Sequence, residues 1–153
     1  MRTFIYCRVS TREQDTQNQV LAIERAGYKV PESRVISEDI SGSVQAMQRP
    51  KFRAMVEHKL EAGDQLVVLK LDRLGRDNID VQQTIDMLLE RGVKVVSLDL
   101  PARDLTSSEG KLIRQMFGAF AEFERNRSRE RTLDGLEKAK ANGVKLGRKE
   151  ATD

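Results

Sequence analysis

The sequence predicts an α/β fold: a mostly parallel central sheet of four to five strands, helices on both faces, and a long C-terminal helix projecting from it. Three observations carry this. Short β-branched runs alternate with helix-period segments over the first hundred residues, the pattern of a parallel sheet covered on both sides. QLVVLKL at 65–71 is short, mostly apolar and β-branched, as a buried strand must be. From Thr106 onward a helical pattern persists for roughly thirty residues, or about 45 Å, longer than so small a domain is wide.

Taken in order, residues 2–9 (RTFIYCRV) read as the first strand. A helix follows over 14–26, with Val20, Ile23 and Ala26 at helical spacing and Gly27 as its stop. RVIS at 34–37 is a second strand. EDISGSVQAMQRP at 38–50 has no clean periodicity and is longer than most connections, which marks it as a functional loop. Pro50 suits the first turn of a helix reaching Gly63. The strand at 65–71 precedes a helix at 78–91, ended by Gly92, and a further strand at 93–100, closed by Pro101. Thr106 and Glu109 have capping-box spacing at the start of the long helix. Gly135 is a weak point near its end. Its Met116, Phe117, Phe120 and Phe123 offer more apolar surface than a surface helix leaves bare. A dimer interface is the preferred reading, burial against the chain's own sheet the alternative. The expected organisation is therefore a catalytic core at 1–105, a long oligomerisation helix at 106–138 in the same domain, and a basic tail at 139–153.

Composition narrows the function classes. Hydrophobic residues at 39% and charged residues at 33% describe a globular chain, not a disordered one. No apolar run approaches the ~20 residues of a membrane helix, and MRTFIYCRVS is too short and polar for a signal peptide. Cys7 is the single cysteine and His58 the single histidine, which excludes an internal disulfide and a Cys/His zinc site and fits a reducing cytoplasm. Alternation points Cys7 into the core, and His58 lies among charged residues on a solvated helix face. The net charge is +3, yet residues 124–149 hold nine Lys/Arg against four Asp/Glu. A basic arm on a near-neutral body suggests a polyanion partner, though a solvated helix face explains the same charge run.

Sites in parallel sheets form beyond the carboxyl ends of the strands. The first strand ends in Arg8-Val9-Ser10-Thr11-Arg12, where alternation places Arg8 and Ser10 on one side. The third ends in LDRLGRD at 71–77, adding Arg73, Arg76 and two carboxylates, and Arg49 comes from the long loop. Arginine is permanently charged and its planar fork matches phosphate oxygens. Attack on a phosphodiester builds charge on the non-bridging oxygens, which preplaced guanidiniums stabilise, and serine supplies a nucleophile. Singly each residue has a plainer use: Ser10 as a helix cap, Arg8 or Arg76 as surface ion-pair partners, Asp72 as an anchor for an arginine. Convergence at one rim carries the argument.

These segments resemble the serine recombinases of the resolvase/invertase family. YCRVSTREQ at 6–14 and LDRLGRD at 71–77 are similar to its two signature segments. QNQV at 17–20, SG at 41–42, RP at 49–50, AEFER at 121–125, RERT at 129–132 and GRK at 147–149 follow in the family's order. The resemblance implies that Ser10 attacks the scissile phosphate, leaving a 5′-phosphoserine and a 3′-hydroxyl without metal, ATP or any other cofactor. It implies that Arg8, Arg49, Arg73 and Arg76 form the activating cluster. It matches Asp72, Gln14 and Gln19 to polar positions around the nucleophile, and Glu124, Arg125 and Arg131 to long-helix positions near site and interface. The general base stays open. The implied partners are double-stranded DNA at a recombination site and a second copy, in dimers that pair into a synaptic tetramer. The implied setting is the cytoplasm of a bacterium carrying plasmid, transposon or phage DNA, with no membrane involved.

Arg127, Arg129, Lys138, Lys140, Lys145, Arg148 and Lys149 are the candidate DNA contacts, reaching backbone and minor groove without much sequence choice. Small members of the family continue past GRK into a helix-turn-helix domain. Here no such domain is expected, only Glu150, Ala151 and Thr152 before Asp153, so the chain reads as a catalytic domain alone or a shortened natural product. Two other classes compete with a recombinase. A non-catalytic DNA-associated dimerisation module would not need Ser10, Arg8, Arg73 and Arg76. A phosphate-binding hydrolase would carry a Gly-rich P-loop or a histidine near its nucleophile. Resolution, inversion and integration are not distinguished by the sequence.

Overall fold

The computed structural model describes residues 1–9, 13–100 and 103–141, the side chains of 13–15 excepted. Four strands, β1 (Thr3–Val9), β2 (Val35–Asp39), β3 (Gln65–Val68) and β4 (Lys94–Ser97), form one sheet in the order β2-β1-β3-β4. All three pairings are parallel. The chain moves outward from β1 to β2, crosses back to β3 and continues outward to β4. The direction of winding thus reverses between β1 and β3, where open α/β sheets place their ligand crevice.

Strand alternation sorts the core into two layers. Ile5, Cys7, Val67 and Val96 face helix α1 (Glu13–Arg25) and pack on its Ile23. Phe4, Tyr6, Leu66, Val68 and Val95 face the opposite layer with α2 (Pro50–Ala54) and α3 (Asn78–Glu90). Helices therefore cover both faces, as expected. Cys7 is fully buried on the α1 side, and burial pushes its thiol up to about 11. His58 is exposed.

Local chemistry moved several boundaries. The helix expected from Pro50 to Gly63 is regular only to Ala54, then widens into a π-type turn over Met55–Lys59, with Leu60 N donating to Met55 O at 2.9 Å. The widened turn keeps the neighbours Met55 and Val56 both buried against the core. The strand expected to reach Leu71 stops at Val68, because Leu71–Leu74 coils into a 3-10 turn. The strand expected over 93–100 is only Lys94–Ser97. Helix α4 spans Ser108–Ala141 and passes through Gly135 without a break, so it continues beyond the expected boundary at 138. Its cap is Ser107, whose Oγ accepts from Gly110 N at 3.0 Å, and not Thr106. The N–H of Thr106 is taken by the Asp104 carboxylate at 2.8 Å.

The apolar stripe of α4 divides between the two readings. Ile113, Phe117 and Ala121, each four residues after the last, lie on one line facing the core. Leu112, Met116, Phe120 and Phe123 point away and are at least half exposed. Phe117, expected on the outward face, belongs to the inward one. Close approach sets the glycines. A Cβ on Gly118 would lie 3.0 Å from Gln82 Nε2 of α3, and one on Gly110 would lie 2.2 Å from Asp104 O. Among the described residues no helix is long and apolar enough to cross a membrane.

One substitution at two glycines of α4 separates these effects. Gly110→Ala drives a methyl into backbone that cannot give way and is expected to cost about 1–3 kcal/mol. Gly135→Ala meets nothing within 4 Å and should stabilise by about 0.5–1 kcal/mol. Urea melts of both variants check the opposite signs.

Candidate active site

The reversal point between β1 and β3 opens into a cavity of about 560 Å³ lined by Arg8, Asp72, Arg76, Asp77 and Asp99 among others. Arg8 leaves the end of β1 half-buried, on the side of Tyr6. Its Nη1 donates to Ile40 O at 3.1 Å. The loop lies flat on its guanidinium, since a Cβ on Gly42 would sit 3.3 Å from Arg8 Cζ. Arg49 is completely buried, a rare position for a cation. Two backbone carbonyls hold it: Nε donates to Val44 O at 3.1 Å and Nη1 to Arg73 O at 2.6 Å. Burial first, then the Arg73 and Arg49 charges, push the Arg8 pKa below its ordinary value, with Asp72 opposing. Three guanidiniums thus share one electrostatic neighbourhood. Arg8 Nε, Arg49 Nη2 and Arg73 Nε are buried with no hydrogen-bond partner among the described residues. Each is a buried donor with an unmet hydrogen bond; of the three residues Arg8 lines the cavity, while Arg49 and Arg73 are not among its lining residues.

The remaining candidates divide. Arg76 is half exposed on the cavity rim, 3.7 Å from Asp77, and Asp72 is well exposed with its Oδ1 3.9 Å from Arg73 Nη1. Gln19 is buried and its Nε2 donates to Arg8 O at 3.2 Å, fixing the end of β1. Glu124 accepts from Asn78 Nδ2 at 2.8 Å, which joins α4 to the cavity wall. Arg125 and Arg131 do not line the cavity. Both are exposed, and Arg131 borders a separate hollow with Phe120, Phe123 and Arg127. Arg127, Arg129, Lys138 and Lys140 are exposed along α4. Ser10, the side chain of Gln14, and Lys145, Arg148 and Lys149 lie outside the described residues.

Two buried carboxylates that the sequence reading did not single out shape the site. Glu38 accepts from Tyr6 Oη at 3.0 Å and from Lys51 N and Phe52 N at 2.8 and 3.2 Å, capping α2 just past Arg49. Burial, then the Glu38 charge, hold the Tyr6 phenol well above its usual value. Asp80 accepts from Ala46 N and Arg76 N, each at 2.9 Å. For Asp80 a signal existed in the spacing Asp77-x-x-Asp80, an N-cap with an acid at the third helical position. Gly75 is extended but has no room for a side chain, because a Cβ would lie 2.6 Å from Val81 N.

Comparison with known proteins decides the family. The model of the "Resolvase, N terminal domain" family matches residues 3–145. The chain is a serine recombinase of the resolvase/invertase family. This recombinase is 47% identical to the transposon Tn2501 resolvase of Escherichia coli, over 98% of the chain and 77% of that protein. It is 45% identical to the serine recombinase PinR of Escherichia coli K12, over 96% and 74%. Among solved structures, the N-terminal catalytic domain of TP901-1 integrase matches with a TM-score of 0.63 at 26% identity, covering 82% of this chain and 98% of that one. The recombinase is accordingly an enzyme of site-specific recombination.

Arg49→Lys tests the buried fork. A lysine cannot serve the carbonyls of Val44 and Arg73 in the same geometry. Each carbonyl left unpaired is expected to cost about 1–3 kcal/mol, read from the urea midpoint. An unchanged midpoint would contradict the arrangement.

Proposed function

We propose that the recombinase cuts and rejoins double-stranded DNA through a covalent 5′-phosphoserine on Ser10, with arginine side chains supplying the positive charge. The observation that carries this is that Arg8 and Arg76 line the cavity while the Arg49 and Arg73 charges act on Arg8, at the end of the strand that Ser10 follows in sequence. In this reading the Ser10 Oγ attacks phosphorus and the P–O3′ bond breaks. The ester to Ser10 forms, and the 3′ oxygen leaves with the bonding pair and takes up one proton to become the 3′-hydroxyl, balancing the proton the serine gives up. The serine proton passes to a base that the residues do not single out. Arg8, Arg49, Arg73 and Arg76 stabilise the charge growing on the non-bridging oxygens. Asp72, Gln14 and Gln19 orient groups around the nucleophile. The ester conserves the energy of the broken linkage, so attack by a 3′-hydroxyl reseals the strand without ATP or a metal.

The outward face of α4 supports pairing of two copies, and pairs of dimers would bring four cutting subunits together. Glu124, Arg125 and Arg131 then lie where site and interface meet. Residues 1–105 serve as core and the long helix as oligomerisation element. Arg127, Arg129, Lys138 and Lys140, with Lys145, Arg148 and Lys149 beyond them, contact the DNA backbone. Such contacts give affinity that falls steeply with salt.

Incubation with a random-sequence duplex pool, quenched in detergent, is expected to recover protein attached to DNA 5′ ends, with mass spectrometry placing the link on Ser10. Ser10→Ala should reduce adduct by more than about a thousandfold. Adducts persisting in that variant would remove Ser10 from the chemistry. For the interface, Phe120→Lys and Phe123→Lys alter exposed side chains and should weaken self-association by about tenfold or more in sedimentation.

A further inference from the structure

Asp80 stands at the third position of α3 and is buried at 7% exposure. An acid there ordinarily turns back toward the first N–H groups of its own helix. Here Asp77 caps the helix, its Oδ1 accepting from Asp80 N at 2.8 Å. The Asp80 carboxylate instead reaches outward. A single oxygen, Oδ2, accepts from Arg76 N and from Ala46 N, both at 2.9 Å. These two N–H groups belong to the segments that carry Arg76, which lines the cavity, and Arg49, which is buried. One is the backbone of Arg76 itself. The other begins the short turn Ala46–Gln48, and Ala46 O accepts from Arg49 N at 3.1 Å. Gly75 makes the junction possible, since a Cβ there would lie 2.9 Å from the same oxygen.

We infer that Asp80 is a positioning residue for strand cleavage. It pins the loop at 40–49 and the turn at 71–76 to one atom, and so sets the spacing between Arg49 and Arg76. Its oxygen accepts from backbone N–H groups and leaves the guanidiniums to the phosphate. The inference rests on the reading above, in which those arginines hold the scissile linkage. A side chain that only stabilised the fold would change the fraction of folded protein. One that sets spacing changes the rate per folded molecule.

The test uses the full chain and a duplex recovered from the adduct selection. Single-turnover adduct formation, duplex affinity by anisotropy and thermal melting are measured for three variants. Asp80→Ala removes the acceptor and should cut about a hundredfold more slowly, as a displacement near 1 Å would cause. Its affinity should stay within about twofold, since the backbone contacts of α4 are untouched. Asp80→Asn retains an oxygen that accepts both N–H groups and should cut within about threefold of wild type. Asp80→Glu retains the charge but moves the acceptor by one methylene, and should be slow. Wild-type speed in Asp80→Ala overturns the inference, as does an equal loss of rate and affinity. If the alanine variant does not fold, the other two decide: a slow Asn with a fast Glu would mean that charge, not placement, matters. Absence of a Ser10 adduct from the wild type is a different failure, that of the cleavage reading itself.

Discussion

Holding Arg8, Arg49 and Arg73 within electrostatic reach of one another is the constraint that organises this molecule. Two unit charges a few ångströms apart repel by roughly 4 kcal/mol at the effective dielectric of a protein surface, and desolvation adds to that. The fold offsets the cost mainly with dipoles. The carbonyls of Ile40, Val44 and Arg73 accept from Arg8 and Arg49, and no carboxylate pairs with the buried Arg49 among the described residues. Glu38 and Asp80 bond to backbone N–H groups, and Glu38 to Tyr6 Oη as well, which fixes the segments bearing the arginines. The acids that do approach the arginines stand off, Asp72 at 3.9 Å from Arg73 and Asp77 at 3.7 Å from Arg76.

The same constraint explains why the site sits where the winding reverses. Only between β1 and β3 do the chain ends leaving two adjacent strands diverge to opposite sides, opening space for side chains from both. Arg8 arrives from one strand, and Arg73 and Arg76 from the turn after the other. The long loop after β2 adds Arg49 from above. Gly42 and Gly75 admit this convergence: a Cβ at Gly42 would press on the Arg8 guanidinium at 3.3 Å, and one at Gly75 would lie 2.6 Å from Val81 N.

Much of this was legible in the sequence, and the exceptions have physical causes. Alternation in TFIYCRV and the apolar run at 65–68 specify strands by burial alone, so their existence and facing followed directly. Their ends did not, because Leu71 and Leu98 are as apolar as strand residues while backbone turns decide where pairing stops. The cap of α4 went to Ser107 over Thr106 through competition from Asp104, a contact that spacing alone does not rank. Phe117 faces inward against expectation, because a stripe read by composition does not say which side each member takes. Asp80 and Glu38 were the least visible, since their partners are main-chain groups of distant segments, and no local pattern records an acceptor for a remote N–H. Arg49 stands in a motif, but nothing in its neighbours predicts complete burial.

Among the described residues helix α4 meets the core through its first half, where Ile113, Phe117 and Ala121 pack inward and Gly118 admits Gln82. Its 34 residues extend about 51 Å, so the remainder stands clear as a rod. The hydrogen bond from Asn78 to Glu124 fastens that rod, near its midpoint, to the first residue of α3. Sliding the helix along its axis by one turn, about 5.4 Å, would stretch a 2.8 Å bond past any useful length. Asn78 therefore acts as a detent, and the rod has one axial setting in which the cavity wall stays whole.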